Sequence, residues 1–509
     1  MSAPSKAGAH QPIQTFVKLL SDSENEKLGH CALKLLHDPG MRIESGKLRA
    51  VLKRKGAEVD ELHEIVRFPP AAVKETIQQA VVEEAGRRER CKGDVLTAEK
   101  TITFSWHTPF MTTSPSMQVS LGGGCPLYYD YKSRGVSYAG ENDLIRMLHL
   151  AEGLPQIVTC GNAVHCVLDC EGKRTPEEFM PILGAATIAK NSSKPGVSAL
   201  MSAWQLDYLV AMGEVVRGGN EGYYKHPVFI NINDTMPPLQ LSRPEGEIIE
   251  ALAARGLPVY ILPMPLMGVA GPVTVFANAV IAVAEILGVW TAAKAVNHET
   301  PLECSVVSGV LDPRSGNPFF SGPEAIAIDL TVAQFFRSFG LRCGTGVGFI
   351  DAPAPGITAT FERTLKSTLA AMCGESNYPA GILAAGNIFS PEQLMLDLDI
   401  GTANNHFLNV FDGHDLDEAV DLVRARGIGG FFMDTEHTVR NFRGKTYMPE
   451  IFPRNKSKES VNVPDPVSLA HQRWNEIIAR TEPYHLPDDK AQQIDKIMVA
   501  AKRVLHERI

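Results

Sequence analysis

Residues 257–287, LPVYILPMPLMGVAGPVTVFANAVIAVAEIL, combine three local signals in one stretch. Residues 258–263 form a short apolar run, which suits a buried strand better than a helix. Gly268 and Gly271 then permit either a tight turn or a close approach of the backbone to a ligand. Residues 273–287 are apolar almost throughout. The stretch therefore predicts a strand, a glycine-containing loop and a mostly buried helix.

The two glycines of this loop have two possible roles. In α/β proteins the loop that follows the carboxyl end of a strand is where ligands bind. Gly268 and Gly271 are therefore candidate cofactor-binding positions. Alternatively, they only allow the helix to pack against the strand, and the spacing leaves both interpretations open.

The composition limits the class of protein. The 509 residues include 49 Lys and Arg against 58 Asp and Glu, a net charge of −9. This balance argues against nucleic acid or an anionic membrane as the main partner. The first residues lack the apolar core of a secretory signal. The nine cysteines, an odd number, suit reduced thiols. These features predict a soluble, cytoplasmic, globular protein.

Apolar runs alternate with helix-like segments from residue 101 onward. Nine runs have the character of strands: 101–105, 157–160, 196–200, 228–233, 258–263, 303–308, 341–350, 381–385 and 428–432. Such alternation predicts a parallel sheet covered by helices. About eight repeats favour a closed (β/α)8 barrel over an open doubly wound sheet.

The chain divides into three predicted parts. Residues 1–100 are a mostly helical N-terminal extension, with Ser21 or Ser23 as a candidate cap of the first helix. Residues 101–440 are the (β/α)8 catalytic barrel. Residues 441–509 are a C-terminal extension that packs on the barrel. The fold class is therefore α/β, a TIM-type barrel with additions at both ends.

The common catalytic motifs are absent from the sequence. We find no GxGxxG, no GxxxxGK[ST], no HExxH and no GxSxG. The loops after the strands offer aromatic residues, glycines and amides instead. That set suits the binding of a cation or a large flat cofactor better than acid–base hydrolysis, because aromatic faces attract cations.

One group of residues has partial metal-site character. Cys160, His165, Cys166 and Cys170 lie close together in the sequence and could hold zinc. The group contains no CxxC pair, however, and Cys160 ends an apolar, strand-like run. The alternative is that these residues belong to the core of the barrel.

Several segments together resemble one known family. PMPLMGVAGPVTVFANAVIAVAE at 263–285 resembles a signature of the trimethylamine methyltransferase family. Other family-like segments follow the family order: GCPLYYDY at 124–131, IDAPAPGITATFE at 350–362 and MDTEHTVRNFR at 433–443. The resemblance covers residues 20–509, although no single motif would suffice alone.

This resemblance implies a reaction. Family membership implies a (β/α)8 barrel that moves a methyl group from a methylated amine to cob(I)alamin, giving methylcobalamin, on a separate small corrinoid protein. The archetype carries pyrrolysine, which aligns near residues 350–355, whereas this chain has only standard residues there. The chain is therefore similar to the non-pyrrolysine branch, which includes glycine betaine methyltransferases. No tightly bound metal is expected.

A quaternary amine as methyl donor explains why this chain needs no pyrrolysine. Its nitrogen is already positive, so loss of a methyl group releases a neutral tertiary amine and needs no acid. The protein must then orient the substrate and exclude water. The resemblance implies an aromatic cage, with the candidates Trp106, Tyr128, Tyr129, Phe320 and Phe349. The candidates for holding a carboxylate are His107, Asn387 and His437. Asp351 could favour the cation, and it is grouped with His437 as a candidate catalytic residue.

Two other functions stay open on the sequence. One is a zinc-dependent corrinoid methyltransferase for another methyl donor. The other is a non-catalytic barrel that binds a quaternary amine or the corrinoid protein. In each case a homo-oligomer is predicted, because barrels with apolar outer helices commonly pair.

Overall fold

The computed structural model describes residues 16–90, 117–161, 163–194, 196–219, 229–375, 377–410, 415–452, 454 and 464–508. The predicted strand 101–105 and the candidate residues Trp106 and His107 lie outside these ranges.

The described residues form fifteen α-helices. In chain order they are α1 (Asp22–His37), α2 (Gly46–Arg54), α3 (Pro70–Arg90), α4 (Glu141–Glu152), α5 (Met180–Asn191), α6 (Leu206–Arg217), α7 (Arg243–Ala254), α8 (Val275–Val296), α9 (Pro323–Ser338), α10 (Ile357–Met372), α11 (Pro391–Asn409), α12 (Asp415–Arg426), α13 (Glu436–Lys445), α14 (Pro466–Arg480) and α15 (Asp488–Arg508).

The strands of the described residues belong to four sheets. In chain order they are β1 (Met41–Ile43), β2 (Glu58–Asp60), β3 (Ile65–Arg67), β4 (Gln118–Leu121), β5 (Leu127–Asp130), β6 (Gly135–Tyr138), β7 (Ile157–Cys160), β8 (Gly196–Ser198), β9 (Phe229–Asp234), β10 (Gln240–Leu241), β11 (Val259–Leu262), β12 (Leu266–Met267), β13 (Leu302–Val306), β14 (Gly309–Leu311), β15 (Pro318–Phe319), β16 (Gly344–Thr345), β17 (Asn377–Ala380), β18 (Ile382–Leu383) and β19 (Ile388–Phe389).

Eight parallel strands form a nearly closed barrel. Their chain order is β4, β7, β8, β9, β11, β13, β16 and β17, and each of the first six pairs with the next. The last strand, β17, pairs with β4 and so returns to the first. Helices α4 to α11 lie between or after these strands in the chain. The predicted (β/α)8 barrel is confirmed.

The barrel has one seam without a backbone ladder among the described residues, between β16 and β17. The two strands are nevertheless neighbours, because Asn377 Nδ2 lies 3.9 Å from the Cβ position of Gly344. Arg363 of α10 is fully buried here and pairs with the equally buried Asp397 at 3.0 Å. Its guanidinium donates to backbone carbonyls on both sides of the seam: Val347, Gly348, Pro379 and Ile382.

Two predicted barrel strands need correction. The eighth barrel strand is β17, and the run predicted at 381–385 contributes only β18, which joins the small sheet β18–β19–β5–β6. The run 428–432 was predicted as a strand but lies in an irregular, exposed segment between α12 and α13. Gly427 and Gly429 adopt φ of +84° and +75° there, which is incompatible with an extended strand.

The two chain extensions pack closely on the barrel region. The N-terminal strand β1 pairs with β10, which lies between barrel strands β9 and β11. Helices α1, α2 and α3 pack against α8, whereas α14 packs against α11 and α15 against α5 and α6. Because β1 and β10 share one sheet, the N-terminal extension is joined to the barrel region by backbone hydrogen bonds. The three-part division of the chain remains a prediction.

Helix α8 is the mostly buried helix that the opening stretch predicts. By length and composition this helix could cross a membrane, yet 78 % of its most apolar 18-residue stretch is buried inside the fold. Its one acidic residue, Glu285, is fully buried. The carboxylate accepts hydrogen bonds from Thr235 Oγ1 and from the backbone N–H of Leu239, both at 2.6 Å. Glu285 therefore ties α8 to the segment after β9.

Replacing Glu285 with glutamine should make stability less dependent on pH. Burial raises the pKa of Glu285 to about 7, from 4.5. The folded protein therefore binds the proton of the Glu285 carboxyl group more tightly than the unfolded chain does. The stabilisation that this proton provides is lost as the pH rises from 4.5 to 7. The free energy of unfolding of the variant minus that of the wild type should therefore increase by up to about 3 kcal/mol between pH 4.5 and pH 8.

The measurement is urea unfolding of both proteins between pH 4.5 and 8. The glutamine can accept from Leu239 and donate to Thr235, so the packing is retained. Glu299→Gln, which changes an exposed side chain, is the matched control and should leave the pH profile unchanged. Parallel profiles for wild type and Glu285→Gln would show that the Glu285 pKa is not raised.

Candidate active site

A cavity occupies the interior of the barrel and opens among the loops at the carboxyl ends of the strands. It encloses about 1000 Å³ of space, including its open mouth. All eight barrel strands contribute to its wall. The polar side chains that line it are Ser120, Thr159, His165, Ser198, Tyr260, Ser305, Thr345 and Asn377. This is the position where TIM barrels bind their substrates.

The lining of this cavity is electrically neutral. None of the described residues that line it is Asp, Glu, Lys or Arg. Its two titratable side chains are His165 and Tyr260. Burial lowers the pKa of His165 and raises that of Tyr260, so both are neutral near pH 7. The described lining therefore offers hydrogen bonds and aromatic faces but no ionised acid or base.

The triple glycine after β4 shapes one edge of the mouth. A Cβ atom at Gly122 would lie 2.4 Å from Ala163 Cα, so only glycine allows this close approach to the loop after β7. The Cβ position of Gly124 is 3.1 Å from the imidazole of His165. The glycines thus allow His165 to lie against the loop at the cavity wall.

Phe349 is the one member of the predicted aromatic cage that lines the cavity among the described residues. The Phe320 ring lies 6.4 Å from the Phe349 ring, behind it. Lys366 Nζ donates to the backbone carbonyls of Phe320 at 2.7 Å and Phe349 at 3.1 Å. Lys366 is buried, and this lowers its pKa to about 8. The lysine therefore fixes the loop that carries Phe349.

Asp351 lies beside this loop and does not line the cavity. Its carboxylate accepts from the backbone N–H groups of Phe320 and Ser321, each at 2.8 Å, and from the Ser321 hydroxyl. The carboxylate is thus engaged in holding the loop that precedes α9. This geometry gives Asp351 a positioning role for Phe320.

Tyr128 and Tyr129 lie in β5 of the small sheet, and neither lines the cavity. The Tyr128 ring stacks on Phe389 at 6.5 Å, with the Arg146 guanidinium 5.5 Å from its centroid. Tyr129 packs in a separate small apolar cluster with Ile350 and its neighbours. The structure therefore places both tyrosines outside the cavity wall.

The remaining predicted residues also lie outside the cavity wall. The Asn387 amide donates to the carbonyl of Ala384 at 2.7 Å. His437 lies in α13, where its Nδ1 is 3.7 Å from a carboxylate oxygen of Glu418. The run 428–432 is not a barrel strand, so the segment that carries His437 is not a loop at the carboxyl end of a barrel strand.

Gly268 and Gly271 form a tight turn between β12 and α8. Gly268 has φ +85°, and its N–H donates to the carbonyl of Gly271 at 2.9 Å. A Cβ at Gly271 would lie 2.0 Å from Asn278 Oδ1, and the Asn278 amide donates to two carbonyls of the same turn. This geometry supports the packing interpretation. Neither glycine lines the cavity.

The cysteines of the possible zinc group have different surroundings. The Cys160 thiol accepts from the Ser192 hydroxyl at 3.5 Å, and Cys170 is exposed. Burial raises the pKa of Cys160 to about 11 and that of Cys166 to about 12, so both thiols are protonated near neutral pH. Within the described ranges, no three His, Cys, Asp or Glu side chains gather as a possible metal site.

The lining hydroxyls were not among the predicted site residues. The signal was present, because strands such as IVTC at 157–160 and LECSV at 302–306 contain one small hydroxyl residue each. Alternate residues of a barrel strand face the interior. A hydroxyl at an inward position of an apolar strand therefore indicates a polar lumen, once the facing is known.

Comparison with known proteins identifies the family of the chain. The family model described as trimethylamine methyltransferase matches residues 3–505, nearly the whole chain. The protein belongs to the trimethylamine methyltransferase family. A trimethylamine methyltransferase of Desulfitobacterium hafniense (strain DSM 10664 / DCB-2) is 23% identical over 431 residues, 83% of this chain and 81% of that protein.

Two further proteins are similar to this family member. A glycine betaine methyltransferase of Desulfitobacterium hafniense (strain Y51) is 25% identical over 303 residues, 58% of this chain and 62% of that protein, which is less than two thirds of its length. The crystal structure of the Methanosarcina barkeri monomethylamine methyltransferase aligns with a TM-score of 0.48 at 12% identity, over 90% of this chain and 88% of that one.

Proposed function

We propose that the protein moves a methyl group from a quaternary amine of the glycine betaine type to cob(I)alamin on a separate small corrinoid protein. The observation that carries the proposal is the neutral cavity at the carboxyl end of the barrel, lined in part by Phe349 and Tyr260. Family membership and the relatives named for trimethylamine and glycine betaine support it. The eight described cysteines are free thiols, in keeping with a cytoplasmic location.

The chemistry of a quaternary amine matches a cavity without an ionised acid. When the carbon–nitrogen bond breaks, the electron pair stays on nitrogen and leaves a neutral tertiary amine. No proton has to be supplied, and His165 and Tyr260 can act as neutral hydrogen-bonding groups. The corrinoid of the partner supplies the nucleophile. The chain itself binds the amine, orients one methyl group towards the mouth and excludes water.

Phe349 is the residue we propose for the cationic end of the substrate. Its ring lines the cavity, and an aromatic face attracts an ammonium group within about 6 Å of its centre. The Lys366 bonds to the carbonyls of Phe320 and Phe349 hold this ring in place without placing a charge on the cavity wall. Asp351 fixes Phe320 behind it.

The rim of the barrel mouth is the surface we propose for the corrinoid protein. Exposed apolar residues follow two strands at this end: Val269, Val273 and Phe276 between β12 and the start of α8, and Ile357 and Phe361 in the first turns of α10. Exposed apolar patches commonly mark interaction sites. A partner bound there would bring its corrinoid to the cavity opening. Within the described residues, an apolar rim fits this role.

Disturbing this rim should weaken docking without affecting amine binding. Ile357→Glu adds a charge to a residue that is 91% exposed, so folding should be unaffected. We expect at least a tenfold increase in the corrinoid-protein concentration that half-saturates methyl transfer. The control, Val499→Glu, changes an exposed residue of α15 and should leave that concentration unchanged. Equal effects of the two substitutions would exclude the rim.

The proposed reaction is tested by following the cobalt spectrum. The purified protein is mixed with a cognate corrinoid protein reduced to cob(I)alamin, and glycine betaine, other quaternary amines or trimethylamine are added. We expect conversion to methylcobalamin with a quaternary amine and none with trimethylamine. Binding of amines without any conversion would instead support the non-catalytic barrel. Loss of activity together with stoichiometric zinc on chelation would support the zinc-dependent alternative.

We also propose a homo-oligomer, formed through the segment of α12 and α13. Ile428, Phe431, Met433 and Val439 are all strongly exposed in this segment. By sequence α12 has four acidic and two basic residues, whereas α13 has one acidic and three basic residues. The segments of two copies can therefore pair with opposite charges facing each other. Light scattering should show that Phe431→Asp reduces the assembly, whereas Phe16→Asp should not.

A further inference from the structure

A buried ion pair lies next to the barrel cavity, between two of the outer helices. Asp329 is in α9 and Lys366 is in α10, and the Lys366 Nζ atom is 4.0 Å from Asp329 Oδ2. Each side chain is only 2 % exposed, and neither residue lines the cavity. The cost of taking two charges out of water can exceed the energy of their attraction. We therefore expect this pair to have a role besides its contribution to stability.

Asp329 connects two neighbouring loops at the carboxyl end of the barrel. Its carboxylate accepts from the backbone N–H of Ser308, between β13 and α9, at 2.7 Å, and from that of Gly346, between β16 and α10, at 3.1 Å. The two loops are in close contact here, because the Cβ position of Gly346 is 3.2 Å from Val307 Cγ1 and 2.9 Å from Asp329 Oδ2. Val307 lines the cavity. Asp329 therefore fixes the spacing of the two loops beside the cavity wall.

Lys366 connects the same two loops at a second point. Its Nζ atom donates to the carbonyl of Phe320, which lies between β13 and α9, and to that of Phe349, which lies between β16 and α10. Burial lowers the pKa of Lys366, and the negative charge of Asp329 opposes this shift, so it favours the ammonium form. Charged donors form stronger hydrogen bonds than neutral ones. Asp329 therefore acts on the Phe349 loop by two routes, through Gly346 and through Lys366.

We infer that Asp329 and Lys366 are positioning residues, which together hold the Phe349 ring where it meets the ammonium group of the methyl donor. This inference rests on the proposed function, in which Phe349 binds the cationic end of the amine. An aromatic face attracts a cation only within about 6 Å of its centre, so a displaced ring loses part of that attraction. Neither charged side chain lines the cavity, so the pair acts on the amine through the position of this ring.

Calorimetric binding of glycine betaine to the full chain tests this role without a corrinoid protein. The variant Asp329→Asn/Lys366→Met removes both charges together, because one buried charge left alone would destabilise the fold. We expect its dissociation constant to be about five- to tenfold higher than that of the wild type, the range of one cation–aromatic contact. In a Phe349→Leu background the same two substitutions should change the constant less than about twofold, since effects exerted through one residue are not additive. Lys294→Met/Glu83→Gln, which neutralises an ion pair between α8 and α3, is the matched control and should leave the affinity unchanged.

The outcomes separate this inference from the proposed function. Unchanged affinity in the doubly neutral variant, or an equal loss with and without Phe349, would overturn the inference alone. Wild-type protein that binds no glycine betaine would overturn both, and binding that depends on the pair without methyl transfer would overturn the proposed reaction alone.

A second variant covers the case in which the doubly neutral protein does not fold, as its unfolding midpoint shows. Asp329→Asn keeps the shape of the side chain, and a buried lysine without its counter-charge can lose a proton and still donate from the neutral amine. We expect the dissociation constant of this variant to be about threefold higher than that of the wild type. An unchanged constant would overturn the inference.

Discussion

Replacing Arg363 with methionine is expected to lower the free energy of unfolding by about 3–5 kcal/mol. The substitution leaves the fully buried Asp397 without its cation, and it removes donors from four carbonyls. Those carbonyls lie on both sides of the seam between β16 and β17, where the described strands share no ladder. The arginine therefore connects the seam where backbone pairing is missing.

The measurement is urea unfolding followed by circular dichroism and by tryptophan fluorescence, so that a change of mechanism is detected. Arg424→Met is the matched control, because Arg424 pairs with Asp421 at 3.5 Å on the exposed surface. Exposed ion pairs contribute about 0–1 kcal/mol. Similar losses in the two variants would mean that Arg363 does not support the barrel seam.

Replacing Leu262 with tryptophan is expected to reduce methyl transfer at least about 100-fold, because a small misplacement of the reacting groups has an effect of this size. Leu262 ends β11 and lines the cavity. The larger side chain fills space that the methyl donor would occupy. Because the cavity is open, the added volume should not destabilise the core as an overpacked site would.

Activity is measured with the corrinoid assay, and the unfolding midpoint shows whether the barrel is intact. The matched control, Leu62→Trp, places the same side chain at a position that is 85% exposed. It should retain full activity. If Leu262→Trp folds normally and still transfers methyl groups at the original rate, the substrate does not occupy this cavity.

The local elements could be predicted well because their signals lie within a few residues. Ser21 is one of the two cap residues predicted from the sequence, and it caps α1 through a capping box with Glu24. The run predicted as a strand at 157–160 is β7. The run 428–432 was predicted wrongly, since an apolar composition does not show whether neighbouring strands will cover it.

The candidate site was less predictable than the fold. Phe349 was among the predicted cage residues and lines the cavity, whereas Tyr128 and Tyr129 face a different sheet. An aromatic residue in a loop has no local signal for the direction of its side chain. Asp351 shows the same limit, because the backbone N–H groups that it accepts from lie about thirty residues away in the chain.

The sequence by itself determined the alternation of strands and helices, the barrel class, the buried helix α8 and the family. These follow from periodicity, helix caps and motif order, which are local or sequential properties. Tertiary structure alone decided that side chains from all eight barrel strands line one cavity and that Arg363 connects the seam. The facing of a strand depends on its register in the closed barrel, and burial of a charge depends on residues far apart in the chain.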